Sequence, residues 1–272
     1  MKAMIFAAGL GTRLKPITDT IPKALVPVCG KPLIEHICRK LMSAGISEAV
    51  VNVHHFADKI EDWAGQQDWI AADSAEEIAE GNMKLAFSDE RAQLLETGGA
   101  ILHARHLLEG CGHFLVHNVD ILSNADITWL ESQVMPEAIA TLLVSERKTS
   151  RYFLFHPQTM RLVGWQNTKT GEHILTDDSI TLEDCRALGF SGIHILSDKV
   201  LGLMLEYAES LDLPTENPQG VRFGIRDFYL WAAAKHPIYG IEVQDLELLD
   251  VGKLDALEPA EKFICSPSGT PS

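Results

Sequence analysis

Two cations and a glycine-rich loop lie close together near the start of the chain. Residues 7–16 read AAGLGTRLKP, and Lys23 follows within the run PKALVPV. Glycines let backbone N–H groups approach an anion without obstruction by a Cβ atom. Arg13 adds a planar fork of donors, and Lys23 adds a point charge. Because charge spreads over several phosphate oxygens during phosphoryl transfer, this combination indicates that chemistry.

Two acidic residues follow apolar runs further along the chain. Asp120 ends the run FLVHNVD, and Asp250 ends ELLD before a valine and a glycine. An acid at the carboxyl end of a strand lies where open α/β sheets bind ligands. Mg²⁺ prefers oxygen ligands, usually one or two carboxylates with waters and phosphates. Both acids are therefore candidate metal ligands, although Asp120 could instead cap a turn and Asp250 the helix that starts near Lys253.

Other functions of the loop fit less well. The segment GLGTRL matches the dinucleotide-binding pattern G-x-G-x-x-G except at its last position, and no G-x-x-x-x-G-K-[ST] motif occurs. A glycine turn with solvated cations would explain Gly9–Gly11, but it explains the Pro22-Lys23 pair poorly. The pair His54-His55 has no Glu-x-x-His partner, so we interpret it as structural rather than metal-binding.

Composition narrows the class of protein. The formal net charge of −15 disfavours binding to nucleic acid, so a phosphate site must be a local concentration of cations and N–H groups. The five cysteines are scattered and contain no C-x-x-C pair, which predicts neither a disulfide framework nor a zinc site and favours a reducing cytoplasm. No apolar run reaches the roughly 20 residues of a membrane span.

Strand and helix patterns alternate through the first half of the chain, which predicts a largely parallel sheet with helices on both faces. After Glu146 the pattern changes to strands joined by turns, which predicts a small antiparallel lid or sheet extension. The expected strands are 2–8, 48–53, 84–88, 113–119, 138–145, 152–156, 162–166, 188–196 and 237–243; the expected helices are 32–44, 57–66, 98–108, 198–209, 224–235 and one from about 253.

We expect a single catalytic domain over residues 1–264. Its nucleotide-binding half would cover about 1–125 and its sugar-binding and lid half about 126–264, with a disordered tail at 265–272. Residues 68–82 form a polar, acidic excursion to which we assign no structure.

The run AAGLGTRLKPITDTIPKALVPVCGKPLIEH resembles the signature of the sugar-phosphate nucleotidyltransferase family, G-x-G-T-R-(x)n-P-K. The similarity extends to about residue 260. It implies a Rossmann-like three-layer α/β/α sandwich with a mostly parallel central sheet. It also implies a single displacement in which a nucleoside triphosphate and a sugar 1-phosphate give a nucleotide sugar and pyrophosphate.

The resemblance also implies roles for individual residues in the nucleotide site. Arg13 would stabilise the departing pyrophosphate, and Lys23 would contact the phosphate under attack. Asp120 and Asp250 match the positions of the family's Mg²⁺ ligands. The base and phosphates would be bound by Ala8, Gly9, Gly11, Thr12, Gln93, Thr97 and Gly98. The turn Glu96-Thr97-Gly98-Gly99 would offer exposed N–H groups, with Thr97 as the N-cap of the following helix.

The expected sugar site is less completely marked. Asn118, Ser191 and Gly192 would face the sugar, the last two within a strand that reads FSGIH. The basic run 147–151 is either a solvated turn or part of the sugar-phosphate site. Many relatives carry an E-K-P triplet in the lid, and this chain lacks it.

Within the family the short length, the Glu-Thr-Gly-Gly turn and the Val-Asn-Val-His-His strand resemble those of short bacterial enzymes of the N-acetylmuramate-1-phosphate uridylyltransferase type. This predicts UTP as the nucleotide, a role in cell-wall sugar recycling, a cytoplasmic location and a monomer or small homo-oligomer. The alternatives are a mannose-1-phosphate guanylyltransferase, a glucose-1-phosphate thymidylyltransferase and, more remotely, a choline-phosphate cytidylyltransferase or a non-catalytic nucleotide sensor.

Overall fold

The computed structural model describes residues 1–72, 78–177, 179–211 and 220–265. These residues form two compact units. The first contains residues 1–94, 117–127 and the C-terminal segment from Glu247; the second contains residues 95–116 and 128–246. The two units are interleaved along the chain, and the functional halves 1–125 and 126–264 stay a prediction.

The elements have the following bounds in chain order. The strands are β1 (Lys2–Phe6), β2 (Pro27–Val28), β3 (Lys31–Pro32), β4 (Glu48–Val53), β5 (Lys84–Asp89), β6 (His113–Asn118), β7 (Ile121–Ser123), β8 (Ala140–Ser145), β9 (Arg151–Phe155), β10 (Leu162–Asn167), β11 (Glu172–Leu175), β12 (Arg186–Ser197), β13 (Ile238–Glu242) and β14 (Leu248–Asp250). The α-helices are α1 (Leu33–Ser43), α2 (Ala57–Gly65), α3 (Glu96–His103), α4 (Arg105–Leu108), α5 (Ile127–Ser132), α6 (Val200–Ser210), α7 (Ile225–Ala233) and α8 (Leu257–Cys265).

Parallel strands form the centre of the first unit. β1 pairs with β4, and β4 pairs with β5, both in parallel. The middle of β1 is fully buried, as expected for a parallel strand covered on both faces. The end of β6 lies on the other side of β1, where the N–H of Val119 donates to the carbonyl of Phe6 at 3.2 Å. The amphipathic helix α1 buries one face, with Leu33, Ile37 and Leu41 wholly inside.

The C-terminal segment completes the first unit. β14 pairs antiparallel with β7, so that Asp250 lies opposite Ile121. Helix α8 follows and is joined to the hairpin of β2 and β3 by a disulfide between Cys29 and Cys265, whose Cα atoms are 6.5 Å apart. The sequence predicted no disulfide framework, and it gave no sign of this single bond. Two cysteines separated by 236 residues give no spacing signal, because only the fold brings them together.

The second unit contains the antiparallel sheet that the sequence predicted. The long strand β12 pairs with β9 through its first residues and with β8 through the rest. β9, β10 and β11 extend this sheet with antiparallel pairs, and β13 joins β8 in parallel. Parallel strands flanked by helices, together with this smaller antiparallel sheet, confirm the predicted fold class.

Most expected elements are present with their ends shifted by a few residues. The predicted helix 98–108 is instead two helices, α3 and α4, that meet at Ala104. In the excursion 68–82, the carbonyl of Trp69 accepts a hydrogen bond of 3.0 Å from the N–H of Met83, which follows the excursion. Residues 73–77 lie outside the described residues. The tail predicted to be disordered also lies outside them from residue 266 onward. In the described part of the chain, none of the helices combines the length and the apolar character that a membrane span requires.

Candidate active site

The glycine loop leaves backbone donors available. Gly9 and Leu10 are exposed after the buried residues Ala7 and Ala8. Among the hydrogen bonds of the described residues, none uses the N–H groups of Gly9, Leu10 or Gly11. Unpaired N–H groups of successive residues in a loop are suited to bind an anion.

Gly11 fixes the shape of the loop. Its backbone has a φ of 62°, in the left-handed region that favours glycine. A Cβ atom there would lie 2.8 Å from Cγ2 of Thr18 and 3.1 Å from Cβ of Lys23. The carbonyl of Gly11 accepts hydrogen bonds from the N–H of Leu14 and the hydroxyl of Thr18, both at 2.8 Å. Thr18 is buried, and no sequence pattern marked it as part of the site.

Lys23 and Asp120 form an ion pair in the first unit. The Nζ of Lys23 donates to Oδ2 of Asp120, and the two side chains are only 11% and 17% exposed. Lys23 begins a 3₁₀ turn after the extended residue Pro22, and Asp120 follows the end of β6. Because so little of the pair faces water, the attraction is screened less than in a surface ion pair.

Arg13 and Asp250 converge beside Gly252. An ideal Cβ atom on Gly252 would lie 2.5 Å from Oδ1 of Asp250 and 2.6 Å from Nη2 of Arg13. The next residue after Asp250, Val251, donates its N–H to the carbonyl of Asp120 at 2.8 Å. The structure thus brings Arg13, Lys23, Asp120 and Asp250 to one place in the first unit. Arg13 and Asp250 can come this close because Gly252 has no side chain. The sequence patterns did not indicate this role for Gly252.

The donor set at this place suits Mg²⁺. Asp120 and Asp250 supply carboxylate oxygens, and the residues that the structure describes contain no group of three or more His, Cys, Asp or Glu side chains that could hold a metal ion. A closed protein cage would need more ligands than two, whereas Mg²⁺ completes its shell with waters and substrate phosphates. The Asp120 carboxylate already forms an ion pair with the ammonium group of Lys23.

Behind Asp120, His117 is held in its neutral form. Burial lowers the pKa of His117 to about 4; Lys40 acts in the same direction, while a hydrogen bond to Asn118 and the charge of Asp120 oppose it. Its Nδ1 donates to the carbonyl of Asn118 at 2.8 Å, and its Nε2 has no partner among the described residues. Burial also lowers the pKa of Lys40 to about 8. His117 therefore contributes no charge at neutral pH.

Gln93 and Asn118 also belong to the first unit. Gln93 is exposed and donates its N–H to the carbonyl of Glu90 at 3.0 Å. Asn118 is half-buried at the end of β6, two residues before Asp120. Their contacts with a nucleotide and a sugar stay predictions.

The two glycines in the first turn of α3, in the second unit, differ from expectation. The N–H groups of Gly98 and Gly99 both donate to the carbonyl of Phe223, at 3.0 and 3.1 Å, so the expectation of exposed N–H groups is wrong. A Cβ atom on Gly98 would overlap the Phe223 ring, and one on Gly99 would overlap the Val221 carbonyl. These glycines are required because another backbone segment packs directly against them. Binding of the nucleotide by Gly98 stays a prediction.

Thr97 caps a different helix from the one expected. Helix α3 already begins at Glu96, and the Thr97 hydroxyl accepts a hydrogen bond of 2.9 Å from the N–H of Ile225 at the start of α7. The prediction that Thr97 is the N-cap of its own helix is therefore wrong. Its contact with a nucleotide stays a prediction.

Strand β12, which contains the residues predicted to face the sugar, has an irregular register. The register between β12 and β8 shifts between Phe190 and His194, and Gly192 has a φ of 81°. The buried hydroxyl of Ser191 accepts from the N–H of Ile193 at 3.1 Å and lies 3.3 Å from its carbonyl. A sugar contact at Ser191 would therefore come from the backbone. In the basic run, Arg147 donates to the carbonyl of Phe190 at 2.7 Å.

Comparison with known proteins identifies similar sequences. Residues 2–153 match the family model described as nucleotidyl transferase. The N-acetylmuramate alpha-1-phosphate uridylyltransferase of Caulobacter vibrioides is 36% identical over 203 residues, which cover 73% of this chain and 76% of that protein. The protein of the same name in Neisseria meningitidis serogroup B is 42% identical over 146 residues, covering 53% and 58%.

Solved structures support the fold. A UDP-glucose pyrophosphorylase in complex with UDP-glucose has a TM-score of 0.69 at 20% identity, covering 96% of this chain and 97% of that chain. HddC from Yersinia pseudotuberculosis has a TM-score of 0.66 at 22% identity, covering 96% and 99%. At these identities the likeness concerns the fold alone.

Proposed function

Because the chain belongs to the nucleotidyl transferase family, we propose that it joins UTP to N-acetylmuramate 1-phosphate and releases pyrophosphate. The chain is a sugar-phosphate nucleotidyltransferase; the family match and the two relatives support that class. The choice of UTP and of this sugar rests on the names of those relatives, and a cytoplasmic role in cell-wall sugar recycling would follow from it.

The observation that carries the proposal is the convergence of four charged side chains beside an open glycine loop. Lys23 and Asp120 are paired, and Arg13 and Asp250 meet at Gly252. The N–H groups of residues 9–11, which have no hydrogen-bond partner among the described residues, belong to the same unit. Two anionic reactants repel each other, so a site that joins them needs this concentration of positive charge in an otherwise acidic protein.

The two cations have different roles in the proposed reaction. Lys23 binds an oxygen of the phosphate under attack, and to do so its ammonium exchanges Asp120 for the substrate. Arg13 lies after the loop and binds the pyrophosphate as it leaves, because a guanidinium can hold two phosphate oxygens at once. Both groups stabilise charge that grows in the transition state.

The proposed nucleophile is an oxygen of the sugar phosphate. A phosphate monoester has a second pKa of about 6, so this oxygen is already ionised at neutral pH. The reaction then needs no general base. Rate enhancement comes from alignment and charge stabilisation.

Mg²⁺ is the proposed metal, held by Asp120 and Asp250. When bound, it neutralises the repulsion between the two phosphate groups. The chain's own contribution is to keep the two carboxylates on neighbouring strand ends, through the β14–β7 pairing and the Val251 to Asp120 hydrogen bond.

A substrate panel tests this proposal. Pyrophosphate release is measured with each nucleoside triphosphate against N-acetylmuramate, glucose, mannose and N-acetylglucosamine 1-phosphates, with Mg²⁺ and with EDTA. We expect the highest kcat/KM for UTP with N-acetylmuramate 1-phosphate, and no turnover in EDTA. A preference for GTP with mannose 1-phosphate, or for dTTP with glucose 1-phosphate, would contradict the substrate assignment. Nucleotide binding without turnover of any pair would contradict catalysis.

A further inference from the structure

Asn52 occupies a special position at the end of β4. In the parallel pairing of β1 and β4 it lies opposite Phe6, the last residue of β1. The next N–H along the chain belongs to Ala7, the first residue of the glycine loop. Ala7 is buried, and a buried N–H without a partner would be costly. The side chain of Asn52 supplies that partner: its Oδ1 accepts the N–H of Ala7 at 2.8 Å.

The other end of the Asn52 amide binds a buried acid. Its Nδ2 donates to Oε1 of Glu90 at 2.7 Å. Asn52 and Glu90 are 4% and 2% exposed. The orientation of the amide follows from its partners, because the Ala7 N–H can only donate and the amide nitrogen faces an acceptor oxygen.

Glu90 in turn fixes the segment that leads to Gln93. Its N–H donates to the carbonyl of Val53 at 2.8 Å, which ties it to the end of β4. Its carbonyl accepts from the Nδ1 of His54 at 2.7 Å and from the N–H of Gln93 at 3.0 Å. One buried network therefore joins the start of the glycine loop to the segment that carries Gln93.

We propose that Asn52, together with Glu90, is a positioning residue for the nucleotide. It sets the exit of the chain from β1 into the loop and, through Glu90, the place of Gln93, the two segments predicted to bind phosphates and base. This inference rests on the proposed function, since it concerns the same nucleotide site. Neither side chain needs to touch the substrate.

The pattern of donors and acceptors allows a swap experiment. In Asn52→Asp, an acid would face the Glu90 carboxyl group at hydrogen-bond distance, with no amide donor between them. In the double variant, Asn52→Asp with Glu90→Gln, the donor returns from the other side. The new amide at position 90 can donate to the new carboxylate at position 52, which still accepts from the N–H of Ala7.

Ser88→Ala is a matched control for the swap. Ser88 lies opposite Asn52 in the β4–β5 pairing and is buried. Its hydroxyl has no partner among the described residues, so its removal leaves the network of Asn52 and Glu90 intact.

The measurement is steady-state kinetics with the nucleotide that the wild-type protein prefers, together with thermal unfolding. We expect Asn52→Asp to raise the KM for the nucleotide about tenfold, as expected when a buried polar group loses its partner. The KM for the sugar phosphate should change much less. The double variant should return to within about threefold of wild type, and Ser88→Ala should match wild type.

Three results would overturn the proposal: an unchanged nucleotide KM in Asn52→Asp, an equal rise in both KM values, or a double variant no better than the single one. If Asn52→Asp does not fold, the double variant still tests the proposal. A normal KM for the nucleotide in the double variant is expected only if the hydrogen bond between positions 52 and 90 is restored. A wild-type protein without turnover would sink the proposed function instead, and the same variants would then be compared by calorimetric titration with UTP.

Discussion

Two glycine-containing segments, one in each unit, serve different purposes. In the first unit, the N–H groups of residues 9–11 are unpaired among the described residues, and a Cβ atom on Gly9 would meet nothing within 4 Å. In the second unit, the N–H groups of Gly98 and Gly99 are bonded to Phe223, and Cβ atoms there would overlap its segment. The comparison teaches that a glycine can offer its N–H to an anion only where that N–H is left free. Where the N–H is used, the glycine serves close packing.

The largest effect is expected for Lys23→Ala. Loss of a cation that stabilises transition-state charge should lower kcat by about 10²–10³-fold. Pyrophosphate release at saturating substrates measures this. Lys15→Ala is the control, because Lys15 is an exposed lysine near the same loop that pairs only with Asp19 within the described chain. Normal turnover by Lys23→Ala would remove the main support for the first unit as the catalytic one.

A smaller effect is expected for the second proposed metal ligand. Asp250→Asn should raise the Mg²⁺ concentration for half-maximal rate by about tenfold or more, because one carboxylate of a two-carboxylate site becomes neutral. Mg²⁺ titration of the rate measures this, with the exposed Asp255→Asn as control. An unchanged Mg²⁺ requirement would show that Asp250 lies beside the metal without binding it.

The comparison of the two glycine segments predicts that one alanine substitution lowers stability and the other weakens nucleotide binding. Gly98→Ala should destabilise the protein by about 1–3 kcal/mol, because the added methyl group overlaps the Phe223 ring. For Gly9→Ala, the free energy of unfolding should stay within about 0.5 kcal/mol of the wild-type value. The KM for the nucleotide should rise, because the added methyl group projects into open space beside the loop donors. Urea unfolding and kinetics on both variants measure this. Equal effects of the two on both quantities would contradict the distinction.

The last prediction concerns pH and stability. His117 has a pKa of about 4 in the folded chain against 6.5 for an ordinary histidine, so the unfolded chain binds the proton more readily. Stability should therefore be intact above pH 6.5 and fall as the pH is lowered toward 4. His117→Gln should show a flatter stability profile in this window. Urea unfolding at several pH values measures it, and parallel profiles would argue against a depressed pKa.

Local patterns predicted much of the fold and of the first unit's site. β1, the loop and Lys23 lie within one run of 23 residues, and Asp120 and Asp250 were placed by the apolar strands that precede them. These are properties of neighbours in sequence.

What the sequence did not reveal depends on residues far apart. The N–H groups of Gly98 and Gly99 are used by a segment more than a hundred residues later, and Asn52 meets Ala7 across 45 residues. The Cys29–Cys265 bond is of the same kind. Spacing and periodicity carry no information on such pairs, because they form only when the strands are in register.

The most direct test of the account is a crystal structure with Mg²⁺ and a non-hydrolysable UTP analogue. We expect phosphate oxygens on the N–H groups of residues 9–11, a metal ion bound by Asp120 and Asp250, and the Nζ of Lys23 moved from Asp120 to a phosphate. A triphosphate bound away from the glycine loop, with the Lys23–Asp120 pair intact, would contradict the account.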